Sequence, residues 1–319
     1  MNTPCSVLQR DGVCVPPECP INVLRIGIIT DLQYANADSI GKRNYRDSIG
    51  KFLEAVGALE EEGVDAIFNL GDSLDHDWYS LTAVSELFSS IRLPFYNLLG
   101  NHDFLVPDEK KDEICPLLRI PNSEGYYTVS MTDPESGYVW RFVFLNGNEI
   151  SLYAARTNEE RQAAQKVREK YPLEDGTLSK DWNGAMSRKQ LDWLDTQLNN
   201  AQKDAERVIV CNHFPLFCQG GPYSVSQSVP LANLLPLYFA KLGYSLWNAD
   251  ELLEILDKYP GLIKGYWAGH LHEGSFGIRA GVPHITFRGI IESEPNAWAV
   301  MEIQGDDASP VYCGEDGDI

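Results

Sequence analysis

Short apolar runs that stop on polar clusters constrain this chain more than any other feature of its sequence. The first, 23–31, reads Val-Leu-Arg-Ile-Gly-Ile-Ile-Thr-Asp, is rich in β-branched residues and is bounded early, so it is expected to be a buried strand whose end presents Asp31. The pattern recurs where Ala66-Ile-Phe-Asn-Leu runs into Gly71-Asp72, and again where Pro94-Phe-Tyr-Asn-Leu-Leu runs into Gly100-Asn101-His102-Asp103. Between the first two, 46–62 carries Ile49, Phe52, Leu53, Val56 and Leu59 at helical spacing, with Gly63 as a stop. Strand, helix and strand in alternation predict an α/β layered fold. Further strands are expected at 140–145, 208–211, 265–267 and 284–287, an amphipathic helix at 187–201 and a solvated, charged helix within 156–170.

Polar clusters therefore stand at or just after strand ends: Asp31-Leu-Gln33, Gly71-Asp72-Ser-Leu-Asp75, Gly100-Asn101-His102-Asp103, Asn212-His213 and Gly269-His270-Leu-His272. In an open α/β sheet ligands gather at the carboxyl ends of strands, so clusters far apart in sequence are expected to meet in space. Carboxylates, amide oxygens and imidazoles are what first-row divalent ions accept. Of the 6 histidines, His102, His213, His270 and His272 fall in these clusters, leaving His76 and His284 elsewhere. Each piece alone has an ordinary reading, since an Asp at a strand end caps a helix or forms a turn and a Gly-Asn pair makes a turn. Their joint, ordered occurrence points to a metal centre.

Charge narrows what such a centre serves. With 26 Lys and Arg against 46 Asp and Glu, the formal charge is −20, which leaves no basic footprint for nucleic acid. A small phosphate ester is not excluded, because bound cations reverse the local field. There is no apolar run of about 18 residues or more and no secretory leader pattern, so neither a membrane span nor export is expected, and the expected location is cytoplasmic. The 7 cysteines show no CxxC spacing and suit free thiols. The boundaries expected are a tail over 1–22 that holds Cys5, Cys14 and Cys19, one domain over 23–305 elaborated at about 105–181 and 219–244, and an acidic tail over 306–319.

The ordered motif set resembles the calcineurin-like metallophosphoesterase superfamily over residues 23–305. The resemblance implies a four-layer α-β-β-α sandwich of two mixed sheets with a dinuclear site at one sheet edge. It implies that Asp31, Gln33, Asp72 and His272 hold one cation and Asp72, Asn101, His213 and His270 the other, with Asp72 bridging ions about 3.5–4 Å apart. The chemistry expected is attack on phosphorus by a metal-bound hydroxide, without a covalent enzyme intermediate. His102 then stands beside the ions to protonate the leaving oxygen or steady the transition state, with Asp75 or Asp103 orienting its ring; both acids have helix capping as the alternative reading. Most of the superfamily has His where this chain has Gln33, and the harder amide oxygen shifts the expected metal toward Mn²⁺ or Mg²⁺ and away from Zn²⁺ or Fe.

Further blocks, Asp31-Leu-Gln-Tyr-Ala with Arg43-Asn-Tyr-Arg46, Trp182-Asn-Gly-Ala, Gln190-Leu-Asp-Trp-Leu and His284-Ile-Thr-Phe-Arg-Gly-Ile-Ile-Glu, are similar to the manganese-dependent ADP-ribose/CDP-alcohol diphosphatase family. That narrower resemblance implies hydrolysis of a phosphoanhydride in a small nucleoside diphosphate derivative such as ADP-ribose or CDP-choline, releasing a nucleoside monophosphate. Arg43 and Arg46 are either contacts for the distal phosphate or solvated residues at a helix start. Tyr223 and Tyr244, with Tyr238 and Phe239 in the same segment, are either a stacking platform for a base or local core. The alternatives are a phosphodiesterase or phosphomonoesterase of the same fold, and a non-catalytic scaffold, against which the nearly complete ligand set counts.

Overall fold

A computed structural model of the chain describes residues 23–173, 175–216 and 243–309, with the backbone of Gln9–Arg10, Val13–Cys14 and 310–313 in addition. Of the expected tail 1–22, only the paired segments Gln9–Arg10 and Val13–Cys14 are described. Most of the expected elaboration 219–244, Tyr223, Tyr238 and Phe239 among it, lies outside the described residues.

The first third of the chain runs β1 (Leu24–Ile29), α1 (Ser48–Glu61), β2 (Ala66–Asn69), α2 (Trp78–Ser89) and β3 (Phe95–Asn97). The middle supplies β4 (Tyr127–Thr132), β5 (Val139–Phe144), α3 (Asn158–Lys170), α4 (Arg188–Lys203) and β6 (Arg207–Cys211). The last part adds α5 (Ala249–Leu256), β7 (Ile263–Ala268), β8 (Ser275–Arg279), β9 (Val282–Thr286), β10 (Ala299–Gln304) and β11 (Asp307–Cys313). They assemble into a 5-stranded sheet ordered β11-β10-β1-β2-β3 and a 6-stranded sheet ordered β8-β9-β7-β6-β5-β4. Both are mixed: β1, β2 and β3 are parallel with β10 antiparallel to β1, and β5, β6, β7 and β9 are parallel with antiparallel β4 and β8 at the edges.

Strands buried on both faces explain the continuous apolar runs. Phe68 of β2 faces the other sheet, its ring 4.9 Å from Phe142 and 5.0 Å from Phe144 of β5. On the outer side of β1, α1 lies so close that a Cβ on Gly27 would come within 2.8 Å of Leu59. That helix buries Phe52, Ala55, Val56 and Leu59 but leaves Leu53, expected on the same face, 50% exposed. Ser187 caps α4 by accepting from the Gln190 amide, and its buried Leu191, Leu194 and Leu198 recur at the helical period and share a core with Val208 and Val210 of β6. The architecture is the four-layer α-β-β-α sandwich.

The carboxyl-terminal boundary differs from expectation. Asp307–Cys313 is not a tail: it pairs antiparallel with β10 as the edge strand of the smaller sheet. Acidic residues hid it, because an edge strand needs an apolar face on one side only. The charged stretch at 156–170 does form a helix, α3, closed by a capping box between Thr157 and Glu160 and burying only Ala164.

Candidate metal centre

The loops after β1, β2 and β3 bring Asp31, Gln33, Asp72 and Asn101 to one sheet edge, and those after β6 and β7 bring His213, His270 and His272 to the facing edge of the other. The loops are laced together by main-chain bonds, Asp31 N to Gly71 O at 3.0 Å, Gln33 N to Asp72 O at 2.8 Å and Gly269 N to His213 O at 3.1 Å. That lacing holds Asp31, Gln33, Asp72 and His270 in left-handed conformation, with φ of 53°, 42°, 53° and 71°. Non-glycine residues pay about 1–2 kcal/mol each for it, and such strain concentrates where side chains must be aimed. Glycine precedes Asp72, Asn101 and His270 for a steric reason. A Cβ on Gly100 would stand 2.0 Å from Asp72 Oδ1, and one on Gly269 would stand 2.1 Å from Thr30 Oγ1.

The aimed groups converge. Asp72 Oδ2 lies 3.2 Å from His213 Nε2 and 3.1 Å from Gln33 Nε2. His213 Nε2 lies 3.2 Å from His270 Nδ1, Asp31 Oδ1 lies 3.3 Å from His272 Nε2, and Gln33 Nε2 lies 3.2 Å from His272 Nε2. Ligand atoms about 2.1 Å from a common ion stand about 3 Å apart, which is the spacing found. Asp31 Oδ1, Gln33 Oε1 and Asn101 Oδ1 are buried without a hydrogen-bond partner. One orphaned buried acceptor costs about 1–3 kcal/mol, and a group of them at one spot fits cations as the missing partners. A half-turn of the Gln33 amide exchanges its nitrogen for its oxygen between Asp72 and His272. Asp72 Oδ2 thus lies beside a member of each expected ligand set, His213 and Gln33.

Supporting groups fix the tautomers. His213 Nδ1 lies 2.9 Å from the Leu70 carbonyl and donates to it, which leaves Nε2 facing Asp72. Thr30 Oγ1 donates to Asp31 Oδ2 at 2.6 Å, and the His270 amide donates to the same oxygen at 3.0 Å. Burial works against every charge here, yet the facing imidazoles of His213 and His102 hold Asp72 well below the usual carboxylate range. Burial opposes the His213 charge too, but Asp72 raises its pKa to about 9. His270 goes the other way, to about 3, through burial and the neighbouring His213.

His102 stands beside the cluster without joining it. Its Nε2 is 4.0 Å from Asp72 Oδ2, and its Nδ1 is 3.1 Å from Asp75 Oδ2. Burial favours the neutral ring, but Asp72 and Asp75 outweigh it and raise the pKa. Asp75 is therefore the acid that orients this imidazole; its other oxygen lies 2.8 Å from His76 Nδ1. Asp103 does not share the role expected of it. Its buried carboxylate accepts from the Ser73 and Gly100 amides, both at 2.7 Å, and so ties the Asp72 loop to the Asn101 loop. Burial and the nearby Asp72 push its pKa up to about 7.

The centre opens into a cavity of about 410 Å³ whose wall includes Arg43, His102, Tyr153, Trp182, Tyr244 and Glu292. Arg46 is not among its lining residues: half exposed, it is held by Asp38 Oδ1 at 2.7 Å and Asn36 Oδ1 at 2.8 Å. The sequence reading gave no role to Tyr153, Trp182 or Glu292. Trp182 and Glu292 sat within its resemblance blocks, and for Tyr153 no local signal exists.

The calcineurin-like phosphoesterase model matches residues 24–274, which contain every residue of this cluster. The chain belongs to the calcineurin-like phosphoesterase family. This phosphoesterase is 31% identical to a manganese-dependent ADP-ribose/CDP-alcohol diphosphatase of Arabidopsis thaliana over 86% of its own length and 88% of the relative's. It is 27% identical to the protein of the same name from Xenopus laevis, with 86% and 82% covered. A dimetal phosphatase from Danio rerio superposes with a TM-score of 0.70 at 22% identity, covering 92% of this phosphoesterase and 96% of that chain, and shows the shared fold. Among the described residues of the phosphoesterase, no helix is long and apolar enough to cross a membrane.

Proposed function

We propose that this phosphoesterase hydrolyses the phosphoanhydride of small nucleoside diphosphate derivatives of the ADP-ribose and CDP-alcohol type, using two divalent cations with Mn²⁺ favoured. The reading is carried by one arrangement: the ligand cluster stands in a small cavity with a cationic group, Arg43, and two aromatic rings, Trp182 and Tyr244, in its wall. A reacting phosphate, a second phosphate and a base are what those parts recognise. The cavity has the volume of a small-molecule site, and the charge of −20 disfavours a polyanion. The names of the Arabidopsis and Xenopus relatives support the substrate and the metal. Free thiols at Cys115 and Cys211 suit a reducing, cytoplasmic setting.

Cations bound at this centre supply charge neutralisation for the phosphoryl oxygens and acidify the attacking water. The protein's own groups do the rest. Asp31, Gln33, Asp72, Asn101, His213, His270 and His272 fix where those charges sit. His102, its Nδ1 side occupied by Asp75, keeps Nε2 on the cavity side to hand a proton to the leaving oxygen.

Trp182 and Tyr244 are half-buried, 6.4 Å apart between ring centroids, with the Lys180 ammonium 5.5 Å from one and 5.4 Å from the other. Stacking on a base is worth about 1–3 kcal/mol by alanine substitution, so Trp182→Ala is expected to raise KM for ADP-ribose about tenfold while affecting kcat far less. An unchanged KM would remove the ring from the base site.

The test of the whole reading is hydrolysis of ADP-ribose and CDP-choline by metal-stripped protein after separate addition of Mn²⁺, Mg²⁺ or Zn²⁺. Release of AMP or CMP, strongest with Mn²⁺, supports it. Cleavage of an aryl phosphate ester or a cyclic nucleotide, with neither diphosphate cleaved, would leave the metal chemistry standing and refute the substrate.

A further inference from the structure

Glu292 touches both halves of the cavity with one atom. Its Oε1 lies 2.9 Å from Arg43 Nε and 3.1 Å from His272 Nδ1. The backbone just before it is bonded to the loop that carries Asp31, through Ile290 N to Thr30 O and Ile291 N to Asp31 O, both 3.0 Å. The acid is thus placed by the segment that places a ligand, and at 27% side-chain exposure it is not there to fill the core.

Two consequences follow for its neighbours. A carboxylate facing His272 Nδ1 keeps the proton on that nitrogen, so Nε2 presents its lone pair toward Asp31 and Gln33. The same oxygen takes up Arg43 Nε, which fixes the plane of the guanidinium and limits how its remaining donors can meet a phosphate in the cavity.

We infer that Glu292 is a positioning residue that couples the two sides of the site, setting His272 for one cation and Arg43 for the phosphate that is not attacked. The inference rests on the ligand assignment and the diphosphate reading given above. Coupling arises because both neighbours share one oxygen: a variant without that charge loosens both at once, and a change that frees Arg43 leaves Oε1 to His272 alone.

The experiment is Mn²⁺ titration calorimetry on the full chain, with steady-state kinetics on ADP-ribose, for wild type, Glu292→Gln, Arg43→Ala, the double variant and His272→Ala. Outer-sphere partners of a ligand histidine are worth about 10–100-fold in metal affinity, so Glu292→Gln is expected to weaken one Mn²⁺ site by that factor and spare the other. It is also expected to raise KM in the wild-type background but not in the Arg43→Ala background, a non-additivity that a general loss of stability would not produce. Two Mn²⁺ sites of wild-type affinity in Glu292→Gln, or additive KM effects, would overturn the inference while His272→Ala still loses an ion. If His272→Ala keeps both ions, the ligand assignment falls and the inference with it. Titration needs no turnover, so failure to cleave ADP-ribose would sink the substrate reading and still leave the Glu292 question decided.

Discussion

Asp72→Asn is expected to lower kcat/KM by about a thousandfold or more, corresponding to about 4 kcal/mol of transition-state stabilisation, and to weaken both Mn²⁺ sites in the same protein. The substitution is nearly isosteric, and an amide oxygen at Oδ1 still accepts from the His102 amide, a bond of 2.8 Å in the native chain. What disappears is the negative charge at the point that His213 and Gln33 both approach. Asp72 is 1% exposed, so water cannot replace it as a counter-charge. Asp31→Asn is the comparison that separates a shared ligand from an ordinary one, since Asp31 Oδ1 faces the His272 ring while Oδ2 accepts from the His270 main chain and the Thr30 hydroxyl, so its loss should weaken a single site. Calorimetry with Mn²⁺ reads both. A Asp72→Asn protein that binds two ions with native affinity would show that the bridging assignment is wrong. Without metal the variant should be less stable than the parent, because it removes one partner of a buried charge pair and leaves the His213 and His102 imidazoles without their counter-charge.

Much of this site was legible in the sequence because burial and close approach leave marks there. Strands covered on both faces must be apolar throughout, which made β1, β2, β3 and β6 readable, and glycine before Asp72, Asn101 and His270 records backbones too near a neighbour for a Cβ. Edge elements carry no such mark. β8 exposes Phe276 and Ile278, and β4 alternates weakly, so neither stands out from loop sequence. At 8 residues α5 is too short to establish a period.

The same contrast runs through the side chains. Asp75 and Asp103 look alike in sequence, each close to a ligand, and only the fold distinguishes them: one faces His102 and the other spends both oxygens on main-chain amides. Arg43 and Arg46 differ in sequence by 3 positions, yet Glu292 holds one in the cavity wall and Asp38 holds the other at the surface. Glu292 itself is 20 residues beyond His272 and meets it by tertiary contact alone. Ligand identity is a local property of a strand end, whereas orientation of a ligand is a property of whatever packs behind it, which a single sequence does not display.

His102→Ala is expected to leave both Mn²⁺ sites intact and to lower kcat by about 10²–10⁴-fold, the usual worth of a positioned general acid. No proposed ligand atom is lost, since His102 Nε2 is 4.0 Å from the nearest Asp72 oxygen. Asp75→Asn should cost less, about 10–100-fold, because the ring remains but loses the carboxylate that holds its Nδ1. Since Asp75 acts through His102, the double variant should be no slower than His102→Ala alone. Leaving-group dependence then tests the role directly. An oxygen that departs readily without a proton gains little from an acid, so the loss caused by His102→Ala should be large for a poor leaving group and should shrink toward nothing for a p-nitrophenyl ester. If the loss is equal for both, the imidazole is not the proton donor and its contribution is to charge on the phosphoryl group instead.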